Sequence, residues 1–300
     1  MSWYVCGALA ILSLVGASFT PGSTPQRTVT QLESQPNNPD KSVKTLQYGE
    51  TEPAIRVKTT MPVQELNPTH YSAQRAAAVA QHFLNTRHGS PYQWFHVEQV
   101  QSATMEEITG VGRKYHVVFS AKEGVSDQSV GLCTADVLFP QEGGDQTAPQ
   151  VQCSCKGLPA VNTTAQEEAL YQELQRSSTL VTGNNIPGIF GYIAPKMKPL
   201  WVLAAVASSF VMLKESNENT LYNMAQVANV TQLKSEDKQL KFQYHVLLHE
   251  MISQEIIHWQ LLATWGPAEG VNVLHTEWQP KCDHCVLPPA NTSKDPSHTD

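Results

Sequence analysis

The chain has 300 residues, 41% of them hydrophobic, and 20 Lys and Arg against 27 Asp and Glu give a formal net charge of -7. That length and apolar content allow two ordinary cores, while the acidic balance without a basic cluster excludes the phosphate neutralisation on which nucleic-acid binding rests. The acidic residues are themselves dispersed, so no run of carboxylates offers a mineral-templating face or an acidic tail.

The N-terminal MSWYVCGALAILSLVGASFT carries one apolar run that closes on small residues at Gly16, Ala17 and Ser18. This is the pattern of a signal peptide over 1–18, and the run is shorter than the ~20 residues of a membrane span. Secretion is therefore expected, without a membrane anchor. Residues 19–66, rich in Pro, Thr, Gln, Asn and Ser and lacking apolar periodicity, are expected to form a disordered leader.

A first folded unit is expected over 67–158. Ala76, Val79, Ala80, Phe83 and Leu84 fall at i, i+3, i+4, i+7 and i+8, the stripe of an amphipathic helix that Gly89 and Pro91 stop. Strand-like runs follow around 95–103, 114–121, 132–139 and 150–155, which gives an α+β unit of one helix packed on a four-stranded antiparallel sheet. The linker, 159–194, holds an acidic amphipathic helix, QEEALYQELQ, with Thr163 or Thr164 as N-cap and Leu170, Tyr171 and Leu174 on one face. That face is expected to pack across both units, and the turn-rich GNNIPGIFG follows it.

The second unit is expected over 195–279. Ala77, Ala78, Val79, Ala80 and Phe83 return as Ala204, Ala205, Val206, Ala207 and Phe210, and Tyr115, His116 and Val117 return as Tyr244, His245 and Val246. Two echoes at nearly one offset predict a duplication. A flexible tail is expected over 280–300.

Within the second unit, HVLLHEMISQEIIHWQLLATW opens like a zinc-protease helix. His-Glu-x-x-His needs its second imidazole at 253, where the chain has Ser253. The surrounding residues alternate with period two, so His245 and His249 sit on a strand, about 13 Å apart by the strand rise. A β-hairpin with solvated histidines is the reading, with no metal site. The chain also lacks a phosphate-binding glycine loop and a serine nucleophile elbow, so neither a cofactor nor an enzymatic activity is expected.

Loss of the signal peptide removes Cys6 and leaves five cysteines. If the Gly-rich tip 141–147 closes a hairpin, Phe139 faces Pro149 and Cys133 faces Cys155, at a separation a disulfide bridges. The expected pairs are Cys133 with Cys155 and Cys282 with Cys285, leaving Cys153 free. Glycosylation sequons stand at Asn162, Asn229 and Asn291, whereas Pro68 disqualifies Asn67.

NIPGIFG, YHVLLHE and above all SQEIIHWQ, together with VEQVQSATMEEI, GRKYHVVF, CTADVLFP and TAPQV, resemble the latexin family over roughly Thr69 to Trp278. The resemblance implies two tandem cystatin-like units joined by a helix. It also implies inhibition of A-type metallocarboxypeptidases, zinc exopeptidases whose active site lies in a funnel. The contact residues it implies are in the turn of the second unit: Gln254 at the centre, flanked by Ile252, Ser253 and Glu255. His258 stands where latexin has Pro, which leaves the exit from that turn less constrained.

The signal peptide, sequons and extra cysteines resemble the secreted, eggshell-matrix branch of the family, which implies an extracellular matrix as a second partner. A structural or antimicrobial matrix role without inhibition is the alternative function. Inhibition of cysteine proteases ranks last, because the Gln-x-Val-x-Gly tip of true cystatins is absent at Ile108 to Gly112.

Overall fold

The computed structural model describes residues 62–141, 143, 148–158, 162–235 and 237–280. The expected signal peptide, most of the leader, Cys282, Cys285, Asn291 and the tail after 280 lie outside the described residues.

In chain order the elements are β1 (Gln64–Leu66), α1 (Tyr71–His88), β2 (Phe95–Ile108), β3 (Gly112–Glu123), β4 (Ser129–Pro140) and β5 (Gln150–Cys155). Then come α2 (Thr164–Arg176), β6 (Thr182–Ile186), α3 (Lys198–Glu215), β7 (Tyr222–Leu233), β8 (Leu240–Glu250), β9 (Glu255–Gly266) and β10 (Gly270–Gln279). The strands make two antiparallel sheets, ordered β1-β2-β3-β4-β5 and β10-β9-β8-β7-β6. In each half an edge strand precedes the helix, and three long strands and a final edge strand or outer strand follow it.

The duplication extends to irregularities that no apolar pattern reports. α1 runs from 71 to 88 and α3 from 198 to 215, an offset of 127 residues at both ends. The β2–β3 register slips between Val97 and Gln99 and again between Val100 and Ser102. The β7–β8 register slips between Met224 and Gln226 and between Val227 and Asn229, the same offset. β-bulges bend a strand and raise its local twist, so both sheets curve over their helices at equivalent points. The Tyr-His-Val echo does not follow this register: at an offset of 127 the structural counterpart of Val117 is Tyr244. A slip of two residues keeps every strand side chain on its own face, so the sequence similarity survives the misalignment.

Each sheet, with five strands, is one strand larger than expected. The additional strands, β1 and β6, read Gln-Glu-Leu and Thr-Gly-Asn-Asn-Ile, and are mostly exposed. A short polar edge strand leaves no alternation to detect. β6 also places part of the second sheet upstream of residue 195, and β1 falls inside the expected leader.

The helices lie on the inner faces of the sheets and pack on one another. Phe95, Val117, Phe119 and Val137 fill the first core against Ala73, Ala76 and Ala80, and Phe242, Tyr244, Val246 and Leu261 fill the second against Leu203, Ala204 and Ala207. Both helices are therefore covered on two sides, which explains their Ala content. On α1 the second covered side includes His82 and Asn85, while Phe83, expected in the buried stripe, is partly exposed beneath the Arg87 guanidinium. The halves approach closely at Gly89: a Cβ there would stand 2.6 Å from Val206 Cγ2.

α2 belongs chiefly to the second half. Leu170 and Leu174 join its core, and Tyr171 stacks edge-on against Trp265. One tie to the first half is Ser90 Oγ, which donates to Glu167 Oε1 at 2.7 Å. Thr163 occupies the N-cap, but its hydroxyl bonds Glu167, and Asn162 Oδ1 instead accepts the Thr164 amide at 3.1 Å.

Candidate contact turn

β8 and β9 pair in continuous register from Leu240 with Trp265 to Glu250 with Glu255. Alternation places Phe242, Tyr244, Val246 and Leu248 in the core, so β8 is long and held along one whole face. Residues 251–254 close this hairpin as a turn with all four positions exposed. Ile252, Ser253, Gln254 and Glu255 are thus brought together at one projecting tip, beside the half-exposed Met251 and Ile256.

The carboxylate of Glu250, itself buried, holds the turn from beneath. Glu250 Oε1 accepts the amides of Leu221 at 2.8 Å and Ile252 at 3.1 Å, and Oε2 accepts Ser253 N at 2.6 Å. Burial alone raises the pKa of this carboxyl, but the hydrogen bonds from Leu221, Ser253 and Ile252 outweigh it and hold the group below the ordinary glutamate value. Gln254 adopts a left-handed φ of 61°, and its Nε2 donates to Met251 O at 2.6 Å. A left-handed non-glycine residue is held only where its surroundings impose the conformation. The side chain expected to be the central polar contact therefore also ties the turn to itself.

A second exposed segment leaves the sheet at the same end. β6 runs antiparallel to β7 and ends at Ile186, opposite Val227, and Gln226 Nε2 donates to Pro187 O at 2.8 Å. β7 begins at Tyr222, which pairs with Glu250 at the base of the turn. The loop after β6 presents Ile189, a fully exposed Phe190 and Tyr192. Phe190 and Glu250 were not singled out from the sequence. The exposed aromatic in NIPGIFG gave a signal for the first; the buried carboxylate gave none by itself.

Away from the turn, Cys133 and Cys155 pair across β4 and β5 and form a disulfide. Cys153 is a free, partly buried thiol whose pKa burial pushes up to about 11, far from the thiolate character of a nucleophile. His249 stands opposite Asn223 and Ile256, and His245 meets His258 from the adjacent strand rather than His249 from its own. Asn162 and Asn229 are both exposed, the latter on β7 with its Nδ2 donating to Asn184 Oδ1 at 2.6 Å. Among the described residues no group of three or more His, Cys, Asp and Glu could hold a metal ion.

These features define an α+β protein of two antiparallel sheets, in which the second sheet ends in a preformed turn bearing Met251 and Ile252 and in an aromatic loop at the same end. The latexin family model matches residues 66–283, and the chain belongs to the latexin family. Latexin of Mus musculus is 40% identical over 217 residues, covering 72% of this chain and 97% of that protein. Latexin of Homo sapiens is 38% identical with the same coverage. Ovocalyxin-32 of Gallus gallus is 33% identical over 207 residues, covering 68% of this chain and 74% of its own.

Proposed function

We propose that the protein is a secreted inhibitor of A-type zinc metallocarboxypeptidases, built from two cystatin-like units. The peptidase contact is assigned to Ile252, Ser253, Gln254 and Glu255, with Ile189, Phe190 and Tyr192 beside them. Latexin-family membership supplies the class of partner. The observation that carries the assignment to this surface is the turn itself, exposed, bearing apolar Met251 and Ile252 beside polar Ser253 and Gln254, and held by Glu250 before any partner arrives. A segment that is ordered in the free protein loses little conformational entropy on entering a funnel, so more of its contact energy appears as affinity. Secretion would allow the sequons at Asn162, Asn229 and Asn291 to carry glycans and would leave the Cys133–Cys155 bridge stable.

The test is inhibition of a pancreatic-type metallocarboxypeptidase by the protein without residues 1–18, compared with Gln254→Ala and His258→Pro. Inhibition that Gln254→Ala weakens supports the assignment. An inactive protein that His258→Pro also fails to restore would remove it.

A further inference from the structure

His245 and His258 lie on the outer face of the second sheet, on β8 and β9. His245 is registered with Gln260 and Leu247 with His258, so the histidines are diagonal neighbours across the hairpin. Their rings nevertheless meet: Nε2 of His245 and Nδ1 of His258 are 3.1 Å apart, with ring centroids at 5.2 Å and planes inclined by 48°.

That separation matches a chelating bite as well as a hydrogen bond. Two imidazole nitrogens bound to one tetrahedral Zn2+ at ~2.0–2.1 Å stand about 3.3 Å apart. Adjacent nitrogens in a tetragonal Cu2+ site, with bonds of similar length, stand about 2.8 Å apart. The observed distance falls between the two, and turning each nitrogen axis by roughly 35–45° from the N···N line makes both lone pairs converge on one ion. Neither histidine makes an ion pair among the described residues, in contrast to His116, whose Nδ1 is held by Asp136 at 2.7 Å. The backbone that carries the pair is also rigid, because both strands bury their opposite faces in the second core.

We propose that His245 and His258 chelate a late first-row divalent cation, Cu2+ or Zn2+, through Nε2 and Nδ1. The remaining positions are filled by water, since no third His, Cys, Asp or Glu completes the set among the described residues. Binding shifts the proton between the rings to the other nitrogen of its own imidazole, so two neutral histidines release no proton. Affinity follows the order of the metals, with Cu2+ above Zn2+. A bound ion would staple β8 to β9, within the same hairpin that carries the 251–254 turn.

The experiment titrates the full chain with CuCl2 and separately with ZnCl2. Nitrogen hyperfine structure in electron paramagnetic resonance reads Cu2+, and imidazole proton resonances read Zn2+. His245→Gln and His258→Gln are compared with His249→Gln, a change on the same face of β8 outside the pair. The expected result is a saturable two-nitrogen site that either substitution in the pair weakens by at least about tenfold and that His249→Gln leaves intact. Other metal-binding groups, Cys282 and Cys285 included, are unchanged in all three variants. Equal metal uptake by wild type and both pair variants, or equal loss in His249→Gln, would overturn the proposal.

Discussion

Glu123 and Glu250, 127 residues apart, occupy the same place in the two halves and accept the same three backbone amides. Each is the buried last residue of its half's second long strand. Glu123 accepts the amides of Trp94, Val125 and Ser126 at 3.3, 2.8 and 2.7 Å, as Glu250 accepts those of Leu221, Ile252 and Ser253. The backbone bond of Gly124 N to Trp94 O is matched by Met251 N to Leu221 O, both 2.8 Å. The residue that then turns the chain is left-handed in both halves, Asp127 at φ 56° and Gln254 at φ 61°. One device shapes both turns, and the halves differ in what the turn displays.

The first prediction follows from the carboxylate. Glu250→Ala leaves three amides without their acceptor and should cost roughly 1–3 kcal/mol, measured by urea unfolding, with faster hydrogen exchange at Ile252 and Ser253. The folded pKa of Glu250 is depressed. Its contribution is therefore present above the ordinary glutamate value and lost as pH falls through the lower, folded value. Amide resonances of Ile252 and Ser253 should hold their positions at neutral pH and move together in acid. Movement near neutral pH would contradict the assignment.

The second prediction separates shape from surface. Met251→Gly, Ile252→Val and Gln254→Asp together give the second turn the residues of the first, 124–127, and retain Ser253. Because the supporting hydrogen bonds are equivalent, stability should change by less than about 1 kcal/mol, the ordinary range of surface substitutions being within ±0.5 each. Peptidase inhibition should fall steeply, since the exposed Met and Ile are gone. A graft that unfolds the hairpin would show that the two turns are not interchangeable.

Much of this architecture was legible in the sequence, and the parts that were not share a cause. Strands such as β8 announce themselves because alternation records burial of one face, and the Ala-rich repeat announces the two helices. β1 and β6 are exposed edges whose stability comes from backbone pairing, which any sequence supplies. The role of Glu250 depends on amides, two of them in its own turn and one across the sheet, so its neighbours in sequence carry little trace of it. One trace exists: Glu-x-x-Ser recurs at Glu123 and Glu250 with Ser126 and Ser253. The proximity of His245 to His258 needs the hairpin register, which the spacing of histidines along one strand cannot give.

The disulfide supports the first half alone. Cys133 is fully buried and its bond to Cys155 closes a sequence separation of 22 residues. Loop closure of that length is worth about 3 kcal/mol in the unfolded-state model. Cys133→Ala with Cys155→Ala should lower stability by that order in urea unfolding, with early loss of amide protection in β4 and β5 and little change in the β8–β9 turn. Inhibition at a temperature where the variant stays folded should be retained. Loss of protection in the 251–254 turn would mean that the halves communicate more strongly than their separate cores suggest.

His82 makes the interface between the helices sensitive to acid. It is buried on α1, beside Ser209 and Met212 of α3 in the wall of a cavity of about 290 Å3. Among the described residues neither ring nitrogen has a partner in hydrogen-bond geometry. Burial lowers its pKa to about 4, against a smaller opposing effect of the Tyr222 backbone. The unfolded chain, with an ordinary histidine near 6.5, binds more protons than the native one between those values. Stability must therefore fall as pH drops from about 6.5 to 4, by ~3 kcal/mol for this group, and fall no further on its account below that. His82→Leu removes the titration while keeping an apolar side chain between the helices. Urea unfolding of both proteins at pH 7.5, 6.5, 5 and 4 should show the variant gaining on wild type across that window. Parallel curves would place the acid sensitivity elsewhere.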